Sequence, residues 1–87
     1  MALNFSNQSR SYDATRLAVR FWGYDGSQEV SFFLTQDALR MLAGERVVGE
    51  AECLAIFDAH RDAVYKAAGN VYGRGRKGSY ELARADF

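Results

Sequence analysis

Cysteine, histidine and net charge are all scarce in this chain. Its 87 residues include one cysteine, Cys53, and one histidine, His60, and the 11 basic side chains balance the 11 acidic ones. A lone cysteine excludes an intrachain disulfide. Cys53 and His60 are seven positions apart, about 10 Å along a helix axis. Ligands sit about 2 Å from a shared zinc ion, so neither a tetrahedral zinc centre nor a Cys–His nucleophile pair is expected. Cys53 reads as a small core residue and His60 as a side chain at the border of an apolar helix face. The zero formal charge weighs against a dedicated nucleic-acid binder, because phosphate neutralisation supplies most of such a protein's affinity. The opening MALNFSNQSRSYD has neither the basic start nor the apolar run of a secretory signal. No stretch approaches the length of a membrane span. These absences lead to the expectation of a cytoplasmic protein with no metal, no cofactor and no membrane partner.

The length points to a single domain over 1–87. Nearly half of the residues are hydrophobic and about a quarter are charged, as in an ordinary globular protein. A domain this small commits almost all its apolar residues to one core, which leaves little room for a deep substrate cavity.

Residues 16–35, RLAVRFWGYDGSQEVSFFLT, carry a hairpin signal. Asp25–Gly26 suits a two-residue type I′ turn. That register sets Tyr24 opposite Ser27, Phe21 opposite Val30, Val19 opposite Phe32 and Leu17 opposite Leu34. The other face receives Trp22 with Glu29, Arg20 with Ser31 and Ala18 with Phe33. A slip of one residue would scramble this apolar partition. Thr35 is a good N-cap for a short helix, QDALRMLA, with Asp37 in its first turn and Gly44 as a left-handed stop. Ala38, Leu39 and Leu42 turn inward. A longer helix is expected from about Glu50 to Val71, because Leu54, Phe57, Val64, Ala68 and Val71 recur on one face. Asp58, Asp62 and Lys66 lie opposite. SYELARADF alternates like a half-buried strand, and the N-terminal LNF can add a short edge strand. The expected fold is a two-layer α+β domain. Two helices pack on one face of a mainly antiparallel sheet.

Three groups of residues are candidates for function. The segment NVYGRGRKGSY sets Arg74, Arg76 and Lys77 between glycines, flanked by Tyr72 and Tyr80. Arginine forks could meet phosphates and the tyrosines could stack bases. Alternatively, the segment is a helix cap and turn whose charges complement a helix C-terminus. No Walker motif is present. The second group is Arg20, Trp22 and Phe33 on the helix-free face of the hairpin. Two large aromatics there are either a partner or homodimer surface, or are covered by the N-terminal residues, including Phe5 and Tyr12. The third is Arg61, inside the apolar arc of the long helix, where it must snorkel or find an acid. Asp13 and Asp37 are its candidate partners, and a structural pin is the expected role. No residue pattern calls for catalysis.

The order of SYDATRLAVRFWGYDGSQEVSFFLTQDAL, then AIFDAHRDAVYKAAGNVY, then a short closing strand resembles a small bacterial family known as domain of unknown function 1488. The resemblance spans nearly the whole chain. It rests on Tyr12–Asp13, the strands with Val19, Phe21 and Val30, the helix with Ala38 and Leu39, and Phe57 followed by His60–Arg61. It implies a compact α+β domain in the bacterial cytoplasm and no known activity, so no catalytic residue carries over. It favours Tyr12, Asp13 and Arg61 as a linked structural feature. Binding, to an unknown protein or a second copy, is the expected mode of action. Nucleic-acid binding through residues 74–77 is the alternative.

Overall fold

The computed structural model describes residues 3–44, 49–73 and 79–87. Strands β1 (Leu3–Asn4), β2 (Arg10–Asp13), β3 (Ala18–Asp25) and β4 (Gln28–Thr35) lead into helices α1 (Gln36–Ala43), α2 (Glu50–Ala59) and α3 (Arg61–Tyr72). Strand β5 (Ser79–Leu82) follows, then a 3₁₀ turn at Arg84–Asp86. The fold is α+β, and its five-stranded sheet is mostly antiparallel. β1 and β2 both pair with the same edge of β3, β4 lies at the centre, and β5 closes the other edge parallel to β4. A parallel partner follows from the connection, because the whole helical layer intervenes between β4 and β5.

The hairpin forms with the expected faces but a different turn. Asp25 pairs with Gln28, so the loop is Gly26–Ser27 rather than Asp25–Gly26. Gly26 has φ 65° and Ser27 stays out of the positive region. This matches a hairpin turn with glycine at its first central position. The slip from the expected register is two residues, and a two-residue slip preserves the face of every side chain. Val19, Phe21, Val30, Phe32 and Leu34 therefore all reach the core, with Phe21 now opposite Phe32 and Val19 opposite Leu34. Leu17 does not. It precedes the strand, is exposed, and holds φ 52°.

α1 starts and stops as its sequence dictates. Thr35 Oγ1 accepts the Ala38 amide at 3.2 Å, and Gly44 takes φ 76°. The single long helix, by contrast, is two helices. His60 breaks it at φ −122°, ψ 26°, serving as C-cap of α2 and N-cap of α3. Its Nδ1 donates to the Ile56 carbonyl at 3.0 Å, so a side chain takes up a carbonyl near the end of α2. Cys53, Phe57, Val64, Ala68 and Tyr72 all face the sheet across this break. Burial pushes the Cys53 thiol above its usual range, consistent with an inert core position.

β2 is a strand that the sequence reading did not separate from the N-terminal segment. Between β1 and β2, residues 5–9 stand opposite only Trp22 and Gly23. This excess chain bulges toward the helices and drives Phe5 into the core. There its ring stacks on Tyr65 with centroids 4.3 Å apart, and it also meets Phe21 and Phe32. Gly23 provides the room, since a Cβ at that position would lie 2.8 Å from Phe5 Cε1.

Candidate functional site

All three helices supply residues to the core on one face of the sheet, together with the inward side chains of β3, β4 and β5. The opposite face carries Arg20, Trp22 and Phe33, brought together by strand alternation on β3 and β4. Phe33 is only 6% exposed despite facing away from the helices. Phe5 and Tyr12 do not cover it, since both pack against the core on the other side. Two guanidinium groups cover it instead. Arg16 Cζ lies 4.1 Å from the Phe33 ring centroid and Arg20 Cζ lies 5.6 Å from it. Arg20 Cζ is also 5.1 Å from the Trp22 ring. Arginine faces thus stack on aromatic faces within the range of cation–π attraction.

Arg20 is held mainly by rings. Its Nη2 donates to Ser31 Oγ at 3.2 Å, whereas its buried Nε has no hydrogen-bond partner among the described residues. Arg16 is anchored by its backbone: Asp13 Oδ1 accepts the Thr15 and Arg16 amides at 3.0 and 3.1 Å. The turn before β3 therefore aims Arg16 across the strands. Sequence reasoning missed Arg16, whose signal was its place next to a strand start with Asp13 three residues earlier.

Arg61 reaches neither Asp13 nor Asp37. Asp37 accepts both Nε and Nη2 of Arg84, which holds its carboxyl below the usual range. The acid that Arg61 finds is Asp58, one turn away, at 2.7 Å. Its Cζ also lies 4.8 Å from the Phe57 ring centroid, its Nη1 donates to Tyr65 Oη, and its Nη2 donates to the Gln8 carbonyl at 2.9 Å. Arg10 on β2 grips the same carboxylate with Nε at 3.1 Å and Nη2 at 2.8 Å. Asp58 was expected on a solvated helix face. It is partly exposed, yet it is the acceptor for two arginines. The Arg10 hydrogen bond, with help from Arg61, holds its carboxyl below the usual range. The cluster clasps the N-terminal segment to the α2–α3 break. A shallow cleft of about 460 Å³ beside it is lined by Asp58, His60, Arg61 and Asp62, but the Asp58 and Arg61 charges are already spent on each other.

Tyr72 and Tyr80 are not available to stack bases. Both are buried, their rings meet at 5.5 Å, and Tyr80 also stacks on Phe32. Tyr72 Oη donates to Asp25 Oδ2 at 2.6 Å, which ties the end of α3 to the hairpin tip. Asp25 is thus the last residue of β3 and an anchor rather than part of the loop. Arg74, Arg76 and Lys77 lie outside the described residues. Among the described residues, no group of three or more His, Cys, Asp or Glu is placed to hold a metal ion. No described helix is long and apolar enough to cross a membrane.

The model of the family described as "Protein of unknown function (DUF1488)" matches residues 3–82. The chain belongs to the DUF1488 family. Among solved structures, this DUF1488 chain is similar to a protein of unknown function from the same family, from Shewanella loihica PV-4. The two share 19% sequence identity at a TM-score of 0.83, over 94% of this chain and 92% of the other. At that identity the likeness establishes the fold. No curated protein matches the chain. Family membership therefore leaves function to the side chains of this DUF1488 chain, and the outer sheet face is where they are least explained by folding.

Proposed function

We propose that this DUF1488 chain is a non-enzymatic protein-interaction domain of the bacterial cytoplasm. Its contact surface is the outer face of the sheet. The observation that carries this reading is the stack in which the Arg20 guanidinium lies between the Trp22 and Phe33 rings while Arg16 covers Phe33. Tryptophan and arginine are the side chains that most often dominate binding energy at protein interfaces. Stacking presets the guanidinium orientation, so less rotamer freedom is lost when a partner docks. The rigid strands of the hairpin hold the set in place. The bacterial source of the structural neighbour supports the setting. The nucleic-acid alternative has lost its stacking tyrosines to the core, which favours the protein-binding reading.

The test compares wild type with Trp22→Ala for capture of a bound protein and for self-association, with thermal unfolding as a control for folding. Truncation of a hot-spot aromatic costs more than about 1 kcal/mol, or roughly fivefold in Kd. The expected result is at least that loss in a variant that still folds. Unchanged capture and unchanged self-association would remove the outer face from consideration.

A further inference from the structure

We propose that this chain exchanges its N-terminal arm, residues 3–13, with a second copy, and that the turn at residues 14–17 is the hinge. The exchange is independent of the outer face. It starts from Leu17, whose backbone and side chain are both badly placed in the single chain. Leu17 holds φ 52°, a left-handed conformation that its Cβ disfavours, and it is 53% exposed. Yet Leu17 continues the alternation of Val19 and Phe21, both of which face the core. Gln36 already donates its amide to the Leu17 carbonyl at 3.0 Å, one step beyond the Ala18–Thr35 pair of the β3–β4 ladder. β3 is therefore ready to start at Leu17, and the tight return from β2 prevents it.

Opening that return makes β2 and β3 one extended strand. β2 of each copy then pairs with β3 of the other. The new register follows from the present one. Asp13 pairs with Ala18, so the next pairs along the ladder are Ala14 with Leu17 and Thr15 with Arg16, each between copies. A two-fold axis passes through the middle of the hinge, and the assembly closes on itself. Ala14 and Leu17 fall on the core face, Thr15 and Arg16 on the outer one, because strand faces alternate. The exchange gives Leu17 an extended backbone and an apolar neighbour.

The contacts that hold the arm survive. The Phe5 ring on Tyr65, Arg10 on Asp58, the Gln8 carbonyl under Arg61 Nη2 and Asn7 Nδ2 on the Tyr24 hydroxyl all join the arm to the body of the domain. Each is remade with the second copy. The described contacts given up are local to the hinge: the Thr15 and Arg16 amides on Asp13 Oδ1, and the position of Arg16 over Phe33. A short hinge under strain, beside an arm that packs into the core, is the arrangement that favours domain swapping.

The first test uses Asn4→Cys/Tyr24→Cys, a pair opposed across β1 and β3 at a spacing that a disulfide bridges. Cys53 is buried and stays out of the reaction. Reduced protein is warmed close to its Tm, so that arms detach, at about 0.5 mM, where even pairs with Kd near 1 mM leave a trace. After cooling, monomer and dimer are separated by size exclusion and oxidised. Free thiols are then blocked, and each fraction is run on a denaturing gel without reductant. The dimer is expected to run as a covalent dimer and the monomer as a monomer. The second test varies the hinge alone, with circular dichroism to check folding. The left-handed penalty on one leucine is a factor of about five to thirty, and each dimer opens two hinges, so Leu17→Gly should weaken dimerisation at least about 25-fold. Leu17→Val is worse in the turn and better in a strand, so it should strengthen dimerisation. Absence of a dimer in both wild type and Leu17→Val overturns the exchange. A dimer that the gel resolves into internally linked monomers also overturns it, and leaves the outer face as the contact. A dimer indifferent to both Leu17 variants overturns the hinge and the exchange with it.

Discussion

Gly23→Ala probes the packing of the N-terminal segment with a single added methyl group. The new Cβ would meet Phe5 Cε1 at 2.8 Å, and both Phe5 Cδ1 and Leu3 Cδ1 at 3.2 Å. The first distance is shorter than real Cβ contacts allow, so Phe5 must move. Its ring cannot slide freely, because it stacks on Tyr65 and touches Phe21 and Phe32. Gly23 does not need a left-handed backbone, so the effect is one of packing. Overpacking of this kind costs about 1–3 kcal/mol. Replacing glycine also stiffens the unfolded chain and returns about 0.4–1 kcal/mol. The net expectation is a loss of about 1–2 kcal/mol. In a domain of this length that lowers Tm by very roughly 4–15 °C. Urea unfolding of wild type, Gly23→Ala, Phe5→Leu and the double variant forms a complete cycle. The smaller side chain at position 5 should relieve much of the alanine's cost, giving a coupling of about 1 kcal/mol. A neutral or stabilising Gly23→Ala, or strict additivity with Phe5→Leu, would refute the account of the bulge at residues 5–9.

Three further outcomes follow from other contacts. Asp58→Asn should lower stability at neutral pH. The folded-state pKa of Asp58 is depressed, first by the hydrogen bond from Arg10, so its contribution is complete above the ordinary carboxylate range and is lost as pH falls through the lower folded value. Unfolding curves taken from about pH 7 to pH 2 should show the gap between wild type and variant closing only below about pH 4; a constant gap would contradict the clasp. Tyr72→Phe removes the donor to Asp25 and should cost about 1–2 kcal/mol in urea unfolding, with no loss if the contact contributes nothing. Leu17→Gly should be neutral or stabilising by up to about 1 kcal/mol, because an exposed leucine at φ 52° bears a left-handed penalty of about 1–2 kcal/mol, partly offset by the greater freedom of glycine when unfolded. A clear loss in thermal unfolding would mean that the Leu17 side chain is needed.

Features encoded by short-range periodicity were legible in the sequence alone. Alternation along β3 and β4 divided Val19, Phe21, Phe32 and Leu34 from Arg20, Trp22 and Phe33, and that division survives a two-residue slip because strand faces repeat every two residues. Thr35 and Gly44 marked the ends of α1 because capping is local chemistry. Leu54, Phe57, Val64, Ala68 and Val71 defined an inward helix face, of which Phe57, Val64 and Ala68 are fully buried and Leu54 and Val71 partly so. The His60 break left no trace, since the apolar spacing runs through it unchanged and neither proline nor glycine is present there. Tertiary structure decided the features that depend on distant pairs. Gly26–Ser27 became the loop once Phe21 met Phe32 and Tyr72 met Asp25. β2 exists because β3 offers it an edge, and β5 runs parallel because three helices separate it from β4. Asp58 looked like a solvated acid until Arg10, 48 positions away, closed on it. Phe33, expected to be bare or covered by aromatics, lies beneath Arg16 and Arg20, because the turn before β3 and β3 itself bring two guanidinium groups over one ring. Periodicity reports which way a side chain points. Only the folded chain determines what it meets there.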